Sequence, residues 1–287
     1  MNISVASGKG GTGKTLVATG LALSLADQEQ VQFLDCDVEE PNAHIFLNPV
    51  FQRREPVTIP VPRIKDNCIH CGTCTEVCAY HAIVVFGETS MTFPELCHGC
   101  GACKHQCPAH AIEEVGRPCG NIDWGVAGNI DFVQGTLNIG ETMAPPVIRR
   151  VKAEADPDKT VIIDAPPGTS CPVIETVKGS DFCVLVTEPT LFGLNDLKLA
   201  VETIREMAIP CGVVLNRAGD GDDEVTTYCR TENIPILLNI PLDMDIARLY
   251  SQGINFVTRS PEWQGKFRDM FLQIVELADE GNHRSQR

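Results

Sequence analysis

Two stretches of this 287-residue chain combine residue types and spacings suited to chemistry. Gly8 to Thr15 reads GKGGTGKT, an instance of G-x-x-x-x-G-K-[ST]. Gly8, Gly10, Gly11 and Gly13 allow tight turns that bring backbone N–H groups against phosphate, with Lys9 and Thr12 set between them. Lys14 is placed to reach β- and γ-phosphates, and Thr15 to offer its hydroxyl to Mg²⁺. The other stretch is a pair of thiol runs. Cys68, Cys71, Cys74 and Cys78 follow the spacing C-x₂-C-x₂-C-x₃-C, and Cys97, Cys100, Cys103 and Cys107 repeat it, with Pro108 after the last. Gaps this short let three thiolates of one loop meet a single iron–sulfur cube.

The thiol runs have the spacing of bacterial ferredoxins, in which the fourth cysteine of each run ligates the other run's cluster. Cys68, Cys71, Cys74 and Cys107 are thereby assigned to one [4Fe–4S] cluster, and Cys97, Cys100, Cys103 and Cys78 to a second. Zinc is the competing metal, but eight thiolates in this pattern do not resemble a Cys₄ zinc ribbon. Cys78 is followed by Ala79 rather than proline, a small departure that leaves ligation intact. His70, His98 and His105 flank ligands, yet the cysteines already complete both sites, so these read as solvated loop histidines. The other six cysteines, at 36, 119, 171, 183, 211 and 229, stand singly and read mostly as small buried hydrophobes; Cys171 is the one worth testing.

Positioning these groups requires a frame. Asn2–Ala6, Val31–Asp35, Thr160–Asp164, Phe182–Thr187, Cys211–Asn216 and Ile236–Ile240 are short, apolar, β-branched runs that read as buried strands. Helical patterns such as Lys14–Ala26 and Asn195–Met207 lie between them. The alternation predicts an α/β fold, a mostly parallel sheet with helices on both faces. The phosphate loop then sits between a strand and a helix whose N-terminal dipole favours anions. Between Pro41 and Pro145 the alternation breaks, and the eight cysteines of the two runs fall in that gap. This predicts a small ferredoxin-like α+β insert at 63–118 within a discontinuous domain of 1–62 and 119–287. Proline-rich PVTIPVPR and turn-like GRPCGN mark its flanks, and AYHAI (79–83) with PAHAI (108–112) marks an internal repeat. The glycine-rich 120–143 segment reads only loosely, as strands and turns rejoining the sheet.

Net charge is −15. An acidic surface repels phosphate backbones and anionic lipid, so neither nucleic acid nor a membrane is an expected partner. The C-terminal segment Pro261–Asp279 is amphipathic, with Trp263, Phe267, Met270, Phe271, Ile274 and Ala278 on one face. Its polar face lacks the basic excess of a membrane helix, so it reads as packed on the core. No secretory signal is visible and no apolar run reaches about 20 residues. With cysteines spaced for metal, a cytoplasmic location is expected.

The loop's extra lysine, Lys9 in K-G-G-x-G-K-[ST], resembles the MinD/ParA/Mrp class of P-loop ATPases, which includes the nitrogenase iron protein. The resemblance spans nearly the whole chain, and the member that fits is a MinD-like ATPase with an inserted ferredoxin domain. It implies an ATP-sandwich dimer, homo- or heteromeric with a related ATPase, in which Lys9 acts in trans on the partner's nucleotide; the alternative is that Lys9 only neutralises phosphate in its own subunit. In FLDCDVEEPN the family's switch I aspartate maps to Asp37, a carboxylate for the attacking water and the Mg²⁺ shell, with Asp35 a structural cap. VIIDAPPGTSCP resembles Walker B and switch II, which makes Asp164 a Mg²⁺ residue; the family's Mrp branch has a further acidic residue that is missing here. By the same resemblance Asn216 and Arg217 of VVLNR and Pro241 of NIPLD lie at the adenine. No N-K-x-D is present, which disfavours guanine.

The insert begins just past Asp37, in the family's mobile switch I, where nucleotide state could reposition the clusters. Three functions follow. The first is an ATPase whose nucleotide-driven dimer closure controls electron transfer through two [4Fe–4S] clusters to a redox partner. The second is an iron–sulfur or metallocofactor assembly or carrier ATPase of the Mrp type. It ranks lower, because no C-x-x-C pair remains among the leftover cysteines. The third is a MinD-like positioning ATPase with redox-sensing clusters.

Overall fold

Strands that are apolar on both faces must be covered twice, and this chain supplies the cover in sequence order. The computed structural model describes residues 1–219 and 224–285. β1 (Asn2–Ala6) leads through the glycine-rich loop into α1 (Lys14–Leu25), then β2 (Val31–Asp35) and the short α2 (Ala43–Leu47). β3 (Val50–Ile64) runs out to a lobe made of α3 (Thr73–Val77), the hairpin β4 (Ile83–Phe86) and β5 (Thr89–Thr92), and α4 (Ala102–His105). The chain returns along β6 (Ile112–Ala127) into β7 (Ile130–Leu137) and α5 (Pro145–Lys152). There follow β8 (Thr160–Asp164), α6 (Cys171–Val177), β9 (Phe182–Thr187), α7 (Leu191–Glu206), β10 (Cys211–Ala218), α8 (Glu224–Thr231), β11 (Ile236–Pro241), α9 (Met244–Ser251) and α10 (Pro261–Ser285).

Among the described residues nine strands form one sheet in the order β11-β10-β9-β1-β8-β2-β7-β6-β3. Pairing is parallel from β11 to β7 and antiparallel where β6 joins β7 and β3 joins β6. Neighbouring residues on a strand face opposite layers. Phe33, Ile162, Phe182 and Val184 pack with α1 and α10 on one side. Leu34, Val161 and Ile163 pack with α5, and Leu185, Val213 and Leu215 with α7, on the other. The α/β architecture expected from the alternation is therefore present. Phe267, Met270, Ile274 and Ala278 of α10 are buried in the first layer, as its amphipathic pattern requires. Among the described residues no helix is long and apolar enough to cross a membrane.

The flanks of the cysteine region differ from expectation. PVTIPVPR and GRPCGN are not linkers or turns; they belong to the 15-residue β3 and the 16-residue β6, which pair in one long antiparallel ladder. Proline is tolerated because β3 is the sheet's edge strand, and Pro56, Pro60 and Pro62 share one parity, so their missing donors fall on one side. From Gly120–Leu137 inward β6 also pairs with β7. Outward of it, β3 and β6 pair only with each other among the described strands, forming a two-stranded arm. At its base the register slips: Val57 faces Gly120 and Thr58 faces Pro118, which leaves Cys119 as the extra residue of a bulge. Arg63 faces Glu113 and Pro118 faces Thr58, so positions 63 and 118 lie at different heights on the arm.

Phe33 is fully buried and stacks on Phe132 at 5.9 Å between ring centroids. Replacing it with alanine is expected to cost about 3–5 kcal/mol of stability, read as a lowered urea midpoint with unchanged slope.

Candidate functional site

The loop after β1 lies at the C-terminal edge of the sheet, where open α/β sheets bind ligands. Gly13 has φ +91°, and a Cβ there would meet the Asn216 Nδ2 at 2.2 Å, so only glycine fits. No side chain caps α1, so its first N–H groups remain free for an anion. The loop is braced from two sides: the Gly168 N–H donates to the Ser7 carbonyl at 2.9 Å, and Asn216 Nδ2 donates to the Thr12 carbonyl at 2.7 Å.

Parallel strands β2 and β8 bring Asp35 and Asp164 into register. Lys14 is buried among them, with Nζ 3.1 Å from Asp164 Oδ1 and 3.4 Å from Asp37 Oδ2. Burial pulls the lysine's pKa down, but Asp164 and Asp37 outweigh it and hold it above its ordinary value. Burial, opposed by Lys14, pushes Asp37 up to about 6. Asp35 is pushed well above the carboxylate range by burial and by Asp164. Its oxygens accept the N–H groups of Asp37 and Ala43, each at 3.2 Å, so Asp35 fixes the start of α2.

Lys9, Gly10, Gly11, Thr12, Gly13, Lys14, Thr15, Asp37, Asn216, Arg217 and Pro241 all line one cleft. Gly8 lies behind it, with its Cα side against Asp196. The cleft has a second wall absent from the sequence reading: Ile246, Ala247 and Tyr250 of α9, with Glu40 and Asn42 ahead of α2. The Asp243 cap on α9, two residues past Pro241, was the available signal. Buried oxygens of Thr12, Asn42 and Asp164 have no hydrogen-bond partner among the described residues. Unpartnered oxygens beside carboxylates and a phosphate-type loop are a donor set that suits Mg²⁺ with a nucleotide. Lys9 does not face the cleft alone: its Nζ is 3.6 Å from Glu188 Oε2, and Arg217 pairs with the same carboxylate.

The lobe at the end of the arm has two hollows. The inner one is ringed by Cys78, Cys97, Cys100 and Cys103, beside Pro60 and Pro62 of β3. The outer one is ringed by Cys68, Cys71, Cys74 and Cys107, beside Ile64 and Ile112 at the arm's end. Among the described residues no three acidic, histidine or cysteine side chains converge as a single-ion site would need. The thiols border the two hollows instead. Of the flanking histidines, His70 pairs with Ser90 at 3.0 Å and His98 stacks on Tyr80. The lone Cys36, Cys119, Cys183 and Cys229 are buried and Cys211 partly so; Cys171 is exposed at the start of α6.

A sequence model of the CobQ/CobB/MinD/ParA nucleotide binding domain matches residues 3–256. The uncharacterized protein MJ0578 of Methanocaldococcus jannaschii is 34% identical over 282 residues, which is 96% of this chain and 97% of that protein. A partial match at 29% identity covers 41% of this chain and 36% of an iron–sulfur cluster carrier protein of Aquifex aeolicus. Among solved structures, the septum site-determining protein MinD of Pyrococcus horikoshii, complexed with Mg-ADP, shares the fold. Its TM-score is 0.58 at 22% identity, covering 98% of each chain.

Lys14→Ala removes the counter-charge of the buried carboxylates. It should abolish nucleotide binding, measured by calorimetry, and lower the stability of the nucleotide-free chain by about 3 kcal/mol. Asp37 supplies a pH test. A divalent cation needs the ionised carboxylate, and near pH 6 about half of Asp37 holds a proton. Mg²⁺–nucleotide binding should therefore release about half a proton near pH 6 and almost none at pH 8. Calorimetry in buffers of different ionisation heat reads this release, which Asp37→Asn should eliminate.

Proposed function

Because this chain belongs to the CobQ/CobB/MinD/ParA family of P-loop nucleotide-binding proteins, we propose that it is an ATPase whose nucleotide-driven dimer closure controls electron transfer to a partner protein. The observation that carries the proposal is the make-up of the two hollows: each takes three cysteines from one run and the fourth from the other. A nucleotide domain and an eight-cysteine lobe joined by one continuous ladder is the arrangement such control needs.

The roles we assign rest on the family resemblance together with the lining of the cleft. Backbone N–H groups of Gly8–Thr15 cradle the phosphates of ATP, and Lys14 turns from its carboxylates to the β- and γ-phosphates. Thr15, Asp37 and Asp164 would hold Mg²⁺, and Asp37 orients the attacking water. Asn216, Arg217 and Pro241 border the base, with Tyr250 opposite. Lys9 leaves Glu188 and reaches the nucleotide of a partner subunit, the same chain or a related ATPase. In the 63–118 lobe, Cys68, Cys71, Cys74 and Cys107 would hold one [4Fe–4S] cluster and Cys97, Cys100, Cys103 and Cys78 the other. When bound, these groups supply one-electron chemistry. The protein acts in the cytoplasm, on a redox or metallocofactor partner.

The partial likeness to an iron–sulfur cluster carrier protein favours a second reading, assembly or delivery of clusters. Anaerobic incubation of the reconstituted protein with an apo-acceptor, with and without ATP, separates the two. Clusters that stay while their reduction rate changes with nucleotide support electron transfer; clusters that leave support delivery. Two variants test the parts. Lys9→Ala should keep ATP binding and lose about 10³-fold in turnover; undiminished hydrolysis refutes the trans role. Replacing Cys78 and Cys107 together by serine should damage both EPR signals, and damage to only one contradicts the crossed assignment.

A further inference from the structure

The two hollows are related by the internal repeat, yet their surroundings differ in a way that orders them energetically. At the outer hollow, Thr73 Oγ1 lies 3.4 Å from Cys71 Sγ. Ser90 Oγ lies 3.7 Å from Cys68 Sγ and 3.0 Å from His70 Nδ1, so a proton on His70 can be accepted while the hydroxyl donates to sulfur. At the inner hollow the repeat puts Ala102 where Thr73 stands and Gly99 where His70 stands. Among the described residues no side-chain donor there reaches a cysteine sulfur. Backbone N–H groups serve both: Ala111 donates to Cys107, Ala82 to Cys78 and Gly99 to Cys97. The inner hollow also has a carboxylate in its wall, Glu114, held by Lys104 at 2.8 Å. Its mouth is bordered by the Tyr80–His98 stack, rings 3.5 Å apart, where the repeat puts Ala109 and Ile69 at the outer hollow.

Adding an electron makes the sulfurs more negative. Hydroxyl donors favour that state, whereas the Glu114 carboxylate at the inner hollow is offset by its Lys104 partner. Resting on the iron–sulfur reading above, we propose that Thr73 and Ser90 raise the reduction potential of the outer site above that of the inner one, so that the first electron given to this arm resides at its tip. The step is a one-electron reduction by an external single-electron donor, with no proton or bond change. Transfer from inner to outer site oxidises one and reduces the other by the same electron. The tip is then the side from which an acceptor protein is served, and the body-side site is the one that refills it.

The test uses the full chain, reconstituted anaerobically with ferrous iron and sulfide, and EPR-monitored potentiometry with dithionite as reductant. The wild type should show two separate one-electron steps. Thr73→Val with Ser90→Ala should lower the upper step, changing the distribution of one electron between the sites about tenfold, equivalent to about 59 mV, and leave the lower step in place. Ala102→Thr, which removes nothing, should raise the lower step and stays decisive if the double variant loses iron. A shift of the lower step in the double variant, a single unsplit wild-type step, or no shift in any fully loaded variant overturns the proposal. Failure of the wild type to hold iron at both sites overturns the reading beneath it, and iron analysis distinguishes that failure from the others.

Discussion

A single buried ammonium holds the nucleotide edge of this protein together. Three aspartates crowd the ends of β2 and β8, and burial drives Asp35 and Asp37 toward their neutral forms. Lys14 makes the crowding tolerable, and it can do so only because Gly13 turns the chain into α1 where a side chain would strike Asn216. The same contacts keep the site poised. The ammonium is engaged by carboxylates, yet among the described residues oxygens of Thr12, Asn42 and Asp164 have no hydrogen-bond partner. A phosphate that draws Lys14 away and a cation that replaces it would satisfy both sets at once.

The second constraint is the edge of the sheet. An exposed edge strand invites pairing with other chains. Here β3 meets it with prolines of one parity and with its partner β6, and the ladder continues past the sheet as an arm. From Thr58, just beyond the Gly120–Leu137 pair, to Ile64 the arm spans about 20 Å at about 3.3 Å per residue. The cysteine lobe thus stands well away from the nucleotide cleft, beyond the same edge of the sheet. Cys97, Ala82 and the arm's Val57, Ile59 and Val61 share one apolar group with Val133 and Val147, so the inner side of the lobe is seated on the body.

Most of the main sheet was legible because its strands are short, apolar and doubly covered, and such runs have few other readings. The loop and the thiol runs were legible because their chemistry demands fixed spacing. Other features were not. α7 begins at Leu191 rather than near Asn195, because Thr190 caps it by accepting from the Gly193 N–H, and a glycine in a first turn hides a helix start. The arm was hidden by its own prolines: three in seven residues look like a linker until an edge position makes them harmless. Tyr250 and Ile246 reach the cleft through tertiary packing of α9, which carries no motif. Glu188 draws in both Lys9 and Arg217 across long stretches of sequence, and no spacing announces it.

These parts connect through a short physical path. Asp35 accepts from Asp37 and from Ala43, so one carboxylate ties the catalytic-edge residue to the start of α2. Only Asn48 and Pro49 separate α2 from β3. Next to Asp37, the Val38 carbonyl accepts from the Leu137 N–H at 2.8 Å, and the Asn138 N–H donates to the carbonyl of Cys119, the bulged residue at the arm's base. The segment around Asp37 therefore touches the arm's base by two routes, once through α2 into β3 and once through β7 into the bulge of β6. Both strands of the arm are tied at their base to the segment around Asp37, and the bulge is where the ladder has lost its regular register. Tilting two paired strands about such a point breaks fewer hydrogen bonds than bending either strand within the sheet.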